Sequence, residues 1–455
     1  MPKQGRGRRA TRAICGWRAL GLLLAWMAGA VGSAFALDLS IEQARSALQG
    51  SSDKLRAAGE DIQRRELDAK AAETLGYPDL QIGLNQVYGR KEIEIDPVPI
   101  IGAIRTTANL DGPRSPLTST WPIYTGGKIG AVQTALAAEV QASTAQRRSV
   151  EDQLERDLVQ RYFRVRLTRQ LVVLRVQQLA QADRQLAQAK AFEAQGQISK
   201  VERLSTQVSR DDAARDLNRA ESDDRIAEAA LRRMLRTDDA LNASTPLFML
   251  TRPLPPLAEW LLDAERSHPA LATLDAKTVV ASQGVVIAKS EFLPSVGAFA
   301  DYELIKNYLS LVEPNWKAGI GISFKLFSRE DRSSKVGAAS AQQRQVEAQR
   351  AEVLNDIKLA VEANWMRVEQ AREQFLLLES GLELTRENLR LRERGFAEGQ
   401  ATSLDVNEAR NAVTRVELGR AQVAFEYVVA LAALLETSGQ SPRFGEFQRQ
   451  AQITF

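Results

Sequence analysis

Gly196-Gln197-Ile198-Ser199-Lys200-Val201-Glu202 and Gly399-Gln400-Ala401-Thr402-Ser403-Leu404-Asp405 are two versions of one segment, 203 residues apart. Each places a glycine, a hydroxyl residue three positions on and an acid six positions on, and each interrupts a very long helical pattern. The same offset carries Tyr124 onto Phe327 and Ala230-Leu231 onto Ala433-Leu434. A shared offset over such a span marks a duplicated chain in which each copy is a hairpin of long helices turning at the glycine.

Outward from the first turn, 128–195 holds no proline and no glycine after Gly130. Ile129, Val132, Leu136, Val140, Val150, Leu154, Leu158, Tyr162 and Val165 recur at threes and fours, so a helix of about 100 Å is expected at 1.5 Å per residue. It returns from Ser199 to about residue 235. The second copy runs from about residue 332 to 397 on Val353, Ile357, Val361, Trp365, Val368, Phe375, Leu382, Leu389 and Phe396, then back to 435. Each hairpin is preceded by a shorter helix. The first, from 40 to about 75, has Ser40 and Gln43 as a capping box and ends at Gly76-Tyr77-Pro78. The second, 257–290, is broken near His268-Pro269.

Between short helix and hairpin each copy has extended segments. Leu80, Ile82 and Leu84 alternate with polar residues, and 117–124 sets Leu117, Ser119, Trp121 and Ile123 on one side. A strand follows Pro294, and in 316–327 Trp316, Ala318, Ile320, Ile322, Phe324 and Leu326 face away from Lys317, Gly319, Gly321, Ser323 and Lys325. This is the dyad pattern of a membrane barrel, though a half-buried strand of a soluble sheet alternates in the same way. Residues 89–113, rich in charge, proline and glycine, read as a loop.

The start of the chain sets the compartment. Lys3, Arg6, Arg8, Arg9, Arg12 and Arg18 precede an apolar run over 19–31 and then Ala34-Phe35-Ala36, with no acid before Asp38. Residues 1–36 therefore read as a secretory signal peptide cut after Ala36 rather than as a membrane anchor. Of 60 basic and 57 acidic residues the leader holds six basic ones, which leaves 54 against 57. The basic excess belongs to the leader and gives no argument for nucleic acid. Cys15, the single cysteine, lies in the leader ahead of the apolar run, so neither a disulfide nor a lipid anchor is expected. The single histidine, His268, sits at the helix break. No histidine- or cysteine-held metal, no cofactor and no catalytic pairing is expected, and the chain does not read as an enzyme. No later run reaches the 18 or so apolar residues of a membrane-spanning helix.

The domain reading follows: 37–237 as the first repeat, 238–256 as a polar, proline-rich linker, 257–439 as the second repeat and 440–455 as a polar tail. Four strands do not close a barrel, and an open edge is not tolerated in hydrocarbon. If the strands enter a membrane, several chains share one barrel, and three chains supply twelve strands.

At this point the chain resembles the TolC family of outer-membrane channels over essentially its whole mature length. The resemblance rests on Pro122-Ile123-Tyr124-Thr125-Gly126-Gly127-Lys128, on Leu293-Pro294, on the paired glycine turns, and on the Ala-Leu-Leu ending near Leu435 with Ser438-Gly439. It implies a mainly α protein with a membrane β-barrel portion: two tandem repeats, a trimeric α-barrel tunnel and four strands per chain of a twelve-stranded barrel. It also implies the exit duct of a tripartite export system, in the outer membrane and reaching into the periplasm. The partners implied are two further copies, a periplasmic adaptor (membrane fusion) protein, an inner-membrane transporter of RND, ABC or MFS type, and outer-membrane lipid. The other reading is a soluble periplasmic coiled-coil adaptor or scaffold.

For the turns, the resemblance implies docking of the adaptor at Gly196, Gln197, Ser199, Glu202, Gly399, Gln400 and Thr402. It makes Asp405 and Glu408 the acids of a pore constriction. Three chains would stack two carboxylate rings that favour cations, and like charges brought close would raise some carboxylate pKa values. Plain helix physics accounts for the same residues as N-caps (Ser199, Thr402) and helix-start acids (Asp405, Glu408). The chain departs from the family at Phe396 and Ala401, where TolC itself has an aromatic hydroxyl and an arginine that help to hold the gate shut.

Overall fold

In the computed structural model the described residues are 37–98, 102–109, 111–309, 313–398 and 400–454. The expected signal peptide, Gly399 and Phe455 lie outside them. In chain order the elements are β1 (Leu37–Leu39), α1 (Ile41–Ser51), α2 (Asp53–Glu73), β2 (Asp79–Ile82), β3 (Asn85–Val87), β4 (Arg90–Val98), β5 (Gly102–Asn109), β6 (Gly112–Arg114), β7 (Pro116–Tyr124), α3 (Lys128–Ala194) and α4 (Lys200–Leu235). Then come β8 (Leu241–Ala243), β9 (Phe248–Met249), α5 (Leu257–Ser267), α6 (Pro269–Ser290), β10 (Ser295–Glu303), β11 (Trp316–Ser323), α7 (Arg332–Ala397), α8 (Ser403–Thr437), α9 (Phe444–Arg449) and β12 (Ile453–Thr454).

The two long helices have 67 and 66 residues, as the spacing predicts. They act as rails along which other helices change. Beside the strands the order of packed neighbours is α2, α3, α6, α7; towards the glycine turns it is α4, α3, α8, α7. Each level is thus a wall four helices wide. Near the strands α3 buries Ala131, Ala138 and Ala145, seven residues apart, and the small side chains let α2 and α6 approach closely. Further along, Leu154, Leu158, Tyr162, Phe163, Val165 and Leu167 take over.

Those larger residues meet a belt of short elements midway along the wall. Phe163 packs edge-on against Phe248 (6.0 Å between centroids), and Phe248 against Phe444 (5.7 Å). β1 pairs in parallel with β8, and β12 pairs antiparallel with β9. The belt corrects two expectations. Residues 238–256 form a connector whose Leu241, Ala243, Leu247, Phe248, Met249, Leu250 and Leu254 are all buried, so the segment is core as well as link. The residues after 440 are not a free polar tail either, because Phe444 and Phe447 are buried in the same core.

Other boundaries move for local reasons. The helix expected from 40 to 75 is two helices, because Ser52 accepts from the Leu55 N–H and restarts the chain as α2. Ser40 and Gln43 do form the capping box. His268 caps α6, its Nδ1 accepting from the Ala270 N–H at 3.1 Å, and burial holds its pKa below the ordinary value. Residues 89–113 are not a loop: β4 and β5 pair as a hairpin and β3 pairs with β6. The stretches Leu257–Ser290 and Leu404–Thr437 are long and apolar enough to cross a bilayer, contrary to the sequence expectation. Alanine, valine and leucine with few charges produce that composition, and both stretches pack within the helical wall.

Candidate functional site: a two-faced sheet and a paired helical tip

The four strands expected from alternation form one antiparallel sheet in the order β11-β10-β7-β2. Register sorts its faces. Trp316, Tyr302, Leu117 and Ile82 share a row, Ala318, Ala300, Ser119 and Leu80 the next, and Ile320, Ala298 and Trp121 a third. Ile82, Leu80, Trp121, Trp316, Ile320 and Ile322 are exposed on this face. The opposite face carries Asp79, Gln81, Thr118, Thr120, Ser295, Gly297, Asp301, Lys317, Gly319, Gly321 and Ser323, with Lys317 Nζ 3.4 Å from Asp301. An apolar outside and a polar inside suit lipid on one side and water on the other. Among the described residues edge strands β2 and β11 have no partner on their outer sides, so the sheet is an open piece of wall, one third of a twelve-stranded barrel. A bulge between Val296 and Gly297 shifts the register beside Pro122, so Ile123 does not follow the expected alternation.

At the far end of the rails the two turns lie side by side. Gly196, at φ +73°, occupies the left-handed region, and the Gln197 N–H donates to the Phe192 carbonyl at 2.9 Å, closing α3 in a Schellman turn. Ser199 accepts from the Glu202 N–H at 3.2 Å and starts α4. Gly196, Gln197, Ser199 and Glu202 are all exposed. In the second turn the Gln400 N–H donates to the Gly395 carbonyl at 2.7 Å. Gln400 and Thr402 are exposed too.

Thr402 starts α8 with a full capping box: its hydroxyl accepts from the Asp405 N–H, and Asp405 Oδ2 accepts from the Thr402 N–H at 2.8 Å. The Thr402 backbone and side-chain hydrogen bonds, helped by Arg392 at 3.7 Å, hold the Asp405 carboxyl below its ordinary pKa. Within one chain this is opposite to the raised value expected from crowded acids. Asp405 therefore enters any ring already ionised and tied to its own helix start. Glu408 is exposed one turn on.

Between the turns runs a groove of about 760 Å³, with Phe192, Gln197, Ile198 and Glu202 on one hairpin and Phe396, Thr402 and Val406 on the other. Asp405 and Glu408 do not line it. Helical spacing puts them on the side of α8 away from Asn407. Gln185 of α3 donates to Asn407 of α8 at 2.5 Å, and Arg410 pairs with Glu393 across α7 and α8. Sequence reading missed these four residues, because nothing in their local pattern signals partners up to 222 positions away. Phe396 lies in the groove, and Ala401 donates its backbone N–H to the Gly395 carbonyl at 3.2 Å; neither side chain carries a polar group.

A long helical wall ending in paired turns at one end and a two-faced open sheet at the other defines an outer-membrane channel subunit. The outer membrane efflux protein family model matches residues 44–236 and 260–440, and the chain belongs to that family. A curated relative, the outer membrane efflux protein BepC of Brucella suis biovar 1 (strain 1330), is 25% identical over 314 residues, covering 67% of each chain. Among solved structures CusC superposes with a TM-score of 0.75 at 14% identity, covering 89% of this chain and 93% of its own. VceC of Vibrio cholerae gives 0.73 at 14% identity, with 88% and 96% covered. MtrE of Neisseria gonorrhoeae, in an open state, gives 0.71 at 16% identity, with 88% and 89% covered.

The resemblance to TolC-type channels is thereby borne out, against the adaptor reading. The protein is an outer-membrane efflux channel reaching into the periplasm, with a shared barrel completed by copies of itself. It works within a tripartite system alongside an adaptor and an inner-membrane pump. Its relatives are channels rather than enzymes.

Proposed function

We propose that the paired turns are the working end of this channel, where one chain both meets its periplasmic adaptor and contributes to the pore. The observation that carries this is the groove between the hairpins, with acids on one side of α8 and exposed caps on the other. The docking positions are Gly196, Gln197, Ser199, Glu202, Gly399, Gln400 and Thr402; of the described ones, Ser199 and Thr402 offer hydroxyls and Gly196 open backbone to an incoming helical hairpin. The apolar floor of Phe192, Ile198, Phe396 and Val406 gives that hairpin something to bury. Asp405 and Glu408, on the other side, are the constriction acids, and three copies of each produce a cation-favouring ring.

The two repeats, 37–237 and 257–439, each supply one hairpin and two barrel strands, and the connector 238–256 sits in the belt midway. The apolar sheet face meets outer-membrane lipid. The pump is of the RND, ABC or MFS type, and it rather than the duct selects the substrate.

Crosslinkers placed at Ser199 and Thr402 in living cells test the docking. Recovery of a periplasmic adaptor together with an inner-membrane transporter is expected. Crosslinks only to other outer-membrane proteins would remove the docking role from the turns.

A further inference from the structure

We infer that the cross-strand pair Phe299–Gly319 sets the bore of the barrel, glycine at 319 providing a slot in which the Phe299 ring lies along the inner wall. The register pairs Phe299 on β10 directly with Gly319 on β11. Both belong to the face that carries Asp301, Lys317, Thr118 and Thr120, which is the water-facing side. Among the described residues of the four strands, Phe299 is the one aromatic side chain on that face.

A Cβ built on Gly319 would stand 3.1 Å from Phe299 Cζ and 3.2 Å from Cε1. The far end of the ring therefore rests over the Gly319 backbone instead of standing away from the wall. Phe299 is 39% exposed although it lies on an open surface. An aromatic residue laid over a cross-strand glycine covers the bare backbone and buries part of its own apolar area.

The consequence is geometric. Twelve strands at 4.8 Å spacing and about 40° tilt enclose a cylinder about 24 Å across between backbones, and side chains on the inner face narrow it from there. Three copies of Phe299 stand at one height in that cylinder. With a side chain at 319 the three rings are lifted from the wall into the passage; with glycine they are stowed. The next row repeats the arrangement without an aromatic: Gly297 faces Gly321, and nothing lies within 4 Å of a Cβ placed on Gly321. Gly319 is thus a positioning residue for the outer exit, acting through Phe299.

The inference rests on the sheet being the barrel wall, and the test separates the two. Purified trimer is placed in a planar bilayer, and polyethylene glycols of graded size are added on the outer side only. The readout is the largest polymer that enters the duct and lowers conductance. Gly319→Val is expected to shift that limit to smaller polymers, and Phe299→Ala with Gly319→Val to restore it. Phe299→Ala alone is expected to leave it where it was, because a stowed ring does not obstruct.

A larger limit for Phe299→Ala alone would overturn the inference, since the ring would already stand in the bore. So would an unchanged limit in Gly319→Val, or an equal reduction in the single and double variants. If Gly319→Val yields no heat-modifiable trimer, Phe299→Ala decides alone. A wild-type protein recovered outside the outer membrane on fractionation would overturn the barrel reading as well.

Discussion

Tyr162 and Trp365, 203 residues apart, make the same hydrogen bond in the two halves of the chain. Tyr162 Oη donates to the Leu39 carbonyl at 2.6 Å, and Trp365 Nε1 donates to the Pro255 carbonyl at 3.1 Å. Each acceptor lies two residues before the first helix of its half, so a long helix pins the entry of the short one twice. The copies have diverged in strength. Tyr162 is fully buried and also accepts from the Thr245 N–H at 2.8 Å, whereas the Trp365 bond is exposed. Tyr162→Phe takes the Thr245 amide's partner away, while the Leu39 carbonyl keeps the Ser244 N–H at 3.1 Å, and the change is expected to cost about 1–3 kcal/mol. Trp365→Phe is expected to cost less. Thermal unfolding of the detergent-solubilised trimer measures both; equal losses would contradict the asymmetry.

A second duplicated position predicts opposite signs. Arg236 has φ +55° at the end of α4, and Gly439, 203 residues later, has φ +70° after α8. Glycine adopts this region freely, whereas a side chain there costs about 1–2 kcal/mol. Arg236→Gly removes that strain and loses an exposed ion pair with Asp53, worth about 0–1 kcal/mol, so a neutral to slightly stabilising change is expected. Gly439→Ala is expected to destabilise, because a Cβ there meets the Ser267 backbone at 3.0 Å. Denaturant midpoints compare the two.

The cap on the second turn predicts a pH response. Asp405 has a lowered pKa, so its contribution to the cap is complete above the ordinary carboxylate value of about 3.9 and is lost as pH falls through the lower folded value. Amide exchange at Thr402 and Asp405 should stay slow from neutral pH down to about 4 and rise only below it. Loss of protection near pH 6 would mean that neighbouring acids, not Thr402 and Arg392, govern this carboxyl.

The bond between Gln185 and Asn407 predicts a gating effect. It ties the first hairpin to the second just above the turns. Asn407→Ala removes the acceptor without touching Asp405 or Glu408. Single-channel conductance is expected to rise while the preference for cations is kept. Asp405→Ala with Glu408→Ala should do the converse and weaken cation preference. An unchanged preference in the double variant would remove both acids from the pore.

The long hairpins were legible because 128–195 and 332–397 carry a helical period without proline and then end at matched glycines. The sheet was legible because Trp316, Ile320 and Ile322 alternate with Lys317, Gly319 and Gly321. The β4–β5 hairpin was not: Pro97, Pro99 and Gly102 give the run the composition of a loop. The connector was misread because Leu247-Phe248-Met249-Leu250 is too short to show a period, while the prolines around it dominate the composition. At the tip, caps such as Ser199 and Thr402 are local and could be read three residues at a time. Gln185, Asn407, Glu393 and Arg410 depend on which helices come together, and the sequence holds no local mark of that.

The connector in the belt has a consequence for cutting the protein in two. The junction of a duplicated chain is ordinarily the natural place to divide it, since neither half should miss the other there. Here β8 is held by Leu37–Leu39 and β9 by Ile453–Thr454, so the junction is bound by strands from both halves. Separate fragments divided within 238–256 would each carry an exposed piece of a common core. The exposed turn at Gly196, at the end of a hairpin that already pairs along its own length, is the more forgiving place for a break. Split-fragment complementation should therefore succeed at a helical tip and fail at the seam between the repeats.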